Sequence, residues 1–231
     1  MKDGTKERVE QETSHWDYLD HLPEEQDGFH LERLMEIHGD IYELYRYANP
    51  AAHRFITVYF HEETKEYKVR TKIGLLEFCR MEFITGSFDA FNDLLQKHFG
   101  QLLLHMSAFH PESVSSIVRE KRIMEWDYGR KLPKNLEGFE LFLQPEEPLE
   151  ITNGSYAIID YSDFALESNF MINYNIFRDE FFGEARIRQI PDVSYAFDAR
   201  ELNELEQKLE QHLVPRLQEI RSRAESAIHE N

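Results

Sequence analysis

Cysteine is almost missing from this chain: among 231 residues, Cys79 is the only one. A single thiol excludes an internal disulfide framework and any cysteine-rich zinc site, and it fits a reducing compartment. Glycine is scarce as well, with ten residues. That leaves little raw material for a loop that cradles phosphate, and neither a Walker loop nor GxGxxG occurs. HExxH and GxSxG are missing too. No apolar run approaches the roughly 18 residues of a membrane span. The N-terminal MKDGTKERVEQETSHWDYLDHL has no apolar stretch of the kind a signal peptide needs. The expectation is a cytoplasmic protein with no membrane partner, in which the acceptor-like triplet Asn153-Gly154-Ser155 has no bearing.

Basic residues are also in deficit: 26 Lys and Arg stand against 44 Asp and Glu, a formal net charge of −18. The deficit is uneven. Residues 1–50 hold five basic and thirteen acidic side chains, residues 51–135 thirteen and eleven, and residues 136–231 eight and twenty. An acidic surround of this kind disfavours duplex nucleic acid and favours a cationic protein surface or small ligand.

What is plentiful is aromatic residues, with seventeen Phe, eleven Tyr and two Trp. They supply a dense core and set the chain apart from disordered acidic sequences. Residues 1–27 read as an acidic arm whose sticky part is Trp16-Asp17-Tyr18-Leu19. From His30 to Tyr47 the stripe Leu31, Leu34, His38, Ile41 and Tyr45 predicts a helix that ends at Asn49-Pro50. Strands are predicted over 54–61, 66–73 and 76–85, the second alternating cleanly between Tyr67, Val69, Thr71, Ile73 and Lys68, Arg70, Lys72. Ser87 caps a helix to about Met106. Residues 111–137 read as a connection, with a short helix over 112–125.

Strand patterns resume at 138–144, at 149–152 and 155–161 around an Asn153-Gly154 turn, at 169–177 and at 183–190. A last helix opens with Asp198 and Glu201 as a capping box and carries Leu202, Leu205, Leu209, Leu213, Leu217 and Ile220. Pro215 should kink or break it. The fold class is α+β: a mostly antiparallel sheet with two long amphipathic helices on one face and an N-terminal helix. Residues 28–231 form a single domain in this reading, with two βββα halves, 51–110 and 138–228, suggesting a duplication.

Candidate chemistry is thin. The eleven histidines do not converge as three or four metal ligands would, and no metal or cofactor is expected. Cys79, sharing a face with Met81 and Phe83, reads as a small buried hydrophobe. Asp160, Asp163, Glu167 and Glu184 have the loose spacing of solvated charges, with Arg186 where a restriction-type nuclease would want lysine. The most specific feature is a polar strand face. Asn169, Asn173 and Asn175 point one way on their strand, and pairing with 183–190 would set Asn173 and Asn175 beside Arg186 and Arg188, with Glu184 at the edge. Asparagine has poor strand propensity, so such a row needs a reason. Two functions compete. The first is a non-catalytic interaction module for a protein with a cationic surface. The second is a small-ligand-binding or hydrolytic domain using Asn173, Asn175, Glu184, Arg186, Arg188 and Asp160. Self-association through the leucine stripe of the last helix, giving a homodimer, is a third and weaker expectation.

Overall fold

The computed structural model describes residues 3–151 and 154–229. The chain separates into two compact units, residues 1–109 and 110–231. The first opens with α1 (Asp3–Thr13) and α2 (Asp17–Asp20). Six strands follow: β1 (Glu25–Gln26), β2 (Phe29–His38), β3 (Ile41–Asn49), β4 (Arg54–His61), β5 (Glu66–Ile73) and β6 (Leu76–Thr85). They form one antiparallel meander in chain order, and α3 (Phe88–Ser107) closes the unit. Ser87 caps α3 by accepting the Ala90 N–H. The helix lays Phe91 and Phe99 against a tyrosine face: Phe91 stacks on Tyr67, and Phe99 meets Tyr45 and Tyr47.

The second unit begins with α4 (Ser116–Glu120), between single 3₁₀ turns at Pro111–Ser113 and Ile123–Glu125. Its strands are β7 (Asn135–Leu136), β8 (Phe139–Leu143), β9 (Leu149–Glu150), β10 (Ser155–Asp163), β11 (Ser168–Asn175), β12 (Glu180–Ile187) and β13 (Ile190–Ala199). The sheet order is β13-β12-β11-β10-β8-β7, with β9 also paired to β10. The last helix, α5 (Leu202–His229), packs on β11, β12 and β13 and buries Leu205, Leu209, Leu213, Leu217 and Ile220. At roughly 1.5–3 kcal/mol per buried large aliphatic, that stripe is a main source of stability for the unit.

The α+β class with antiparallel strands and two long helices is what forms, as two sheets that each carry one helix. Four local expectations are corrected. The stretch expected as an N-terminal helix, residues 30–47, is the β2–β3 hairpin: Gly39 at φ 60° turns the chain, and Tyr42, Tyr45 and Tyr47 are buried on β3. Residues 190–199, of which only Ile190 was expected in a strand, are a full strand. Asp198 therefore ends a strand instead of capping α5, whose first backbone bond runs from Leu205 N–H to the Glu201 carbonyl. Pro215 lies within α5 without breaking it. The acidic arm is built into the first unit, with Val9, Trp16 and Leu19 all buried. The Asn153-Gly154 turn lies outside the described residues at Asn153.

Apart from β9, the strands of the two units and their closing helices follow the same order. Beyond the first hairpin the correspondence keeps one constant interval: β3 with β10, β4 with β11, β5 with β12, β6 with β13 and α3 with α5. Ahead of it, Trp16-Asp17-Tyr18, Leu22-Pro23, Gly28-Phe29 and Leu31 recur as Trp126-Asp127-Tyr128, Leu132-Pro133, Gly138-Phe139 and Leu141. Left-handed backbone recurs at matching places: Gly28 with Gly138, His53 with Glu167, Lys65 with Asp179, Gly74 with Arg188. Even the wide bulge recurs. A single residue of β5, Lys68, stands against residues 81–84 of β6 between the pairs Tyr67↔Thr85 and Val69↔Arg80, as Phe182 of β12 stands against residues 195–198 between Phe181↔Ala199 and Gly183↔Ser194.

Candidate functional site

The polar strand face is real, but its parts go to different places. On β11 the odd-numbered residues point away from α5, and register puts Asn169 between Ser162 and Arg186, Met171 between Asp160 and Glu184, and Asn173 between Ala157 and Phe182. Arg186 is thus opposite Asn169, and Asn173 is opposite Phe182. Asp160, Asn169 and Asn173 are buried, each 1% exposed or less. Asp160 Oδ1 accepts from Ser162 Oγ at 3.1 Å and from Asn169 Nδ2 at 3.0 Å. Burial pushes the Asp160 carboxyl up to about 7, against the opposing pull of those two hydrogen bonds and of the Arg186 charge. Both polar atoms of the Asn173 side chain are without a hydrogen-bond partner among the described residues.

The remaining expected residues have structural duties or lie elsewhere. Asn175 donates to Ser155 Oγ at 2.9 Å and accepts the backbone N–H groups of Phe177 and Arg178, fixing the β11–β12 turn. Arg188 sits in the β12–β13 turn at φ 48°, its N–H donated to Ser168 Oγ. Asp163 is tied to Arg221 and accepts the Ala165 and Leu166 N–H groups. Among the described residues no three His, Cys, Asp or Glu side chains converge to hold a metal ion. Cys79 is exposed, contrary to its reading as a buried hydrophobe, because β6 is an edge strand and Cys79 lies on the face away from α3.

Glu184 opens onto a groove of about 260 Å³ beside β13, lined by Arg178, Glu180, Phe182, Glu184, Val193, Tyr195 and Asp198, with Gly183 in its wall. That volume falls below the roughly 300–1,000 Å³ of small-molecule pockets and suits one or two side chains. Glu180, Glu184 and Asp198 make no ion pair among the described residues. Burial first, and then the neighbouring charge of Glu180, raise the Asp198 carboxyl, while Lys208 works the other way. The rim is apolar and open: Tyr195 is 80% exposed and Val193 63%, and Phe177, next to Arg178, is 78% exposed. Large apolar side chains so exposed around a polar groove are the usual mark of a contact surface.

The matching strand of the first unit carries cations at two of these places. Lys68 and Arg70 occupy the places of Phe182 and Glu184, and both cations are neutralised locally. Lys68 meets Glu66 at 3.0 Å, while Arg70 pairs with Glu43 and, at 3.5 Å, with Glu77. Among the described residues, the carboxylates of this face in the second unit make no such pairs. Val193 and Tyr195 escape the sequence reading because β13 is not recognised there as a strand, Asp198 because it reads as a helix cap, and Glu180 and Phe182 because β12 reads as starting at residue 183. The signal was there: Val193, Tyr195, Phe197 and Ala199 alternate with period two.

Among the described residues no helix is long and apolar enough to cross a membrane. No protein-family model, no curated protein and no solved structure matches the chain.

Proposed function

We propose that this protein is a non-catalytic interaction module, and that its second unit holds a partner protein by that partner's cationic side chains. One observation carries the reading: three carboxylates without ion-pair partners, Glu180, Glu184 and Asp198, share a side-chain-sized groove with Phe182 and Tyr195. A Lys or Arg entering it would relieve the repulsion between Glu180 and Asp198 and meet aromatic faces at the same time. The alternative of a hydrolytic or small-ligand site on the polar strand face finds less support, because Asp160 and Asn173 are buried and the groove is small. Self-association through α5 is likewise poorly supported, since its leucine stripe is spent on its own sheet. A reducing cytoplasm fits a chain whose lone cysteine is an exposed thiol. The matched elements, turns and tryptophan motifs support descent of both units from one ancestral unit, with the second specialised for binding.

The test is a calorimetric titration of the full chain with a lysine- and arginine-rich peptide and with its glutamate counterpart. The basic peptide alone should bind, more weakly as salt rises. The variant Glu184→Lys should reduce its affinity about tenfold or more, a loss in the range of a buried charge contact. Equal affinity of wild type and variant would overturn the assignment.

A further inference from the structure

We propose that the partner enters as an extended segment, adding a short strand to the open edge of β13 while one basic side chain reaches into the groove. This rests on the reading above and adds the form of the ligand to its charge. β13 is the terminal strand of its sheet. Its hairpin with β12 turns through two residues, Arg188 and Gln189, both at positive φ (48° and 70°), between the partners Ile187 and Ile190. In a two-residue hairpin the flanking pair exchanges both of its backbone hydrogen bonds, and bonded and non-bonded pairs then alternate. Ala185↔Asp192 and Gly183↔Ser194 are therefore bonded pairs, whereas Arg186↔Pro191 and Glu184↔Val193 are not.

The consequence is that the N–H and C=O of Val193, and the C=O of Pro191, point away from β12 toward the open side. Proline at 191 costs the ladder nothing, because its missing N–H would have faced outward. The outward groups of Val193 are a ready template for another backbone. The stretch that can be matched is short, since the bulge after Ser194 carries the chain away from regular pairing.

Charge complementarity selects the occupant. A strand added beyond β13 runs about 4.8 Å from it and about 9.6 Å from β12. A residue of that strand on the side of Val193 and Glu184 faces the groove across this gap, within reach of an extended Lys or Arg side chain. Tyr195 and Val193 offer exposed apolar surface to its neighbours. The matching edge of the first unit, β6, has the cation Arg70, paired with Glu43, where β13 has Glu184 behind it, and this opposes a basic strand.

The probe is a fluorescent peptide of alternating valine and arginine, titrated by anisotropy against the full chain. Three alterations are compared: Glu184→Lys, Val193→Pro, and N-methylation of the peptide at single successive backbone nitrogens. Val193→Pro removes an outward N–H and leaves the ladder to β12 intact, so the protein should fold as before. The expected result is a loss of about five- to tenfold for Val193→Pro, the size of one lost hydrogen bond. Methylation should weaken binding at every second position only. If Glu184→Lys abolishes binding while Val193→Pro and every methylated peptide behave as wild type, strand addition is refuted and the charge reading stands. If none of the three changes affinity, both fall. Should Val193→Pro fail to fold, the methylation series decides alone: loss at alternate nitrogens supports the added strand, and no alternation refutes it.

Discussion

Tyr161 donates its phenolic hydrogen to the Pro133 carbonyl oxygen at 2.7 Å, and Tyr47 makes the same bond to Pro23 at 2.6 Å. Each bond ties the strand after the first hairpin to the segment that leads into it, and each closes one copy of the repeat. The neighbouring contacts recur as well. The Leu31 N–H reaches the Glu24 carbonyl and the Leu141 N–H that of Lys134, both at 2.8 Å. Trp16 Nε1 donates to Asn92 and Trp126 Nε1 to Glu206, at matching places on α3 and α5. Removing either phenolic hydroxyl leaves a carbonyl short of a donor. Tyr47→Phe and Tyr161→Phe should each cost about 1–2 kcal/mol in denaturant unfolding. No loss in either variant would mean that the repeated bond is incidental.

Asp160 should make stability fall as pH rises. Burial pushes its carboxyl up to about 7 in the folded protein, against an ordinary aspartate value of 3.8. Below about pH 4 both states hold the proton and the group is neutral to stability. Between there and about 7 the unfolded chain releases the proton while the folded chain keeps it, so stability declines, and above 7 the loss is complete. Asp160→Asn keeps the carbonyl that accepts from Ser162 and Asn169 and removes the titration. The difference between variant and wild type should grow across this window to a few kcal/mol, at about 1.4 kcal/mol per pH unit. Urea midpoints taken from pH 4 to pH 8 check it; a constant difference would show that Asp160 does not titrate there.

Trp16→Ala should destabilise the first unit by about 3–5 kcal/mol. The indole is 5% exposed, sits edge-on to Phe88 with centroids 5.1 Å apart and lies 5.8 Å from Tyr45. Thermal unfolding checks the prediction. A variant that melts with wild type would return residues 1–27 to the status of a loose arm.

Much of the fold is legible in the residues, and the failures have physical causes. Strands β4, β5 and β6 were read to the residue, because alternation and a capped helix start bound them. Residues 30–47 misled because a bulge between Arg33 and Glu36 and a Gly39 turn spaced the apolar residues like a helix stripe. Asp198 misled because a capping-box spelling, Asp with Glu three residues on, also occurs by chance at the end of a strand. The Trp-Asp-Tyr and Leu-Pro repeats are identities in the sequence, whereas amphipathic helix stripes fit one another in many registers and do not fix the interval of the duplication. Of the candidate residues, Glu184 alone reaches the groove. Asp160 and Asn173 read as a platform because burial on both faces of a strand leaves no trace in alternation when the buried residues are polar.

Glu180→Lys and Glu184→Lys should leave folding stability within about 0.5 kcal/mol, as partly exposed charges away from the core do. Both should weaken the basic peptide. Calorimetry of binding beside denaturant unfolding separates the two effects; a large loss of stability would make these carboxylates structural instead of recognitive.

The most direct test of the central claim is chemical-shift mapping of the isotope-labelled full chain titrated with the valine–arginine peptide. The predicted result is shifts concentrated on Glu180–Glu184 and Ile190–Asp198, with the Val193 amide becoming protected from hydrogen exchange. Saturable binding whose shifts fall elsewhere on the chain, with the Val193 amide unchanged, would contradict it.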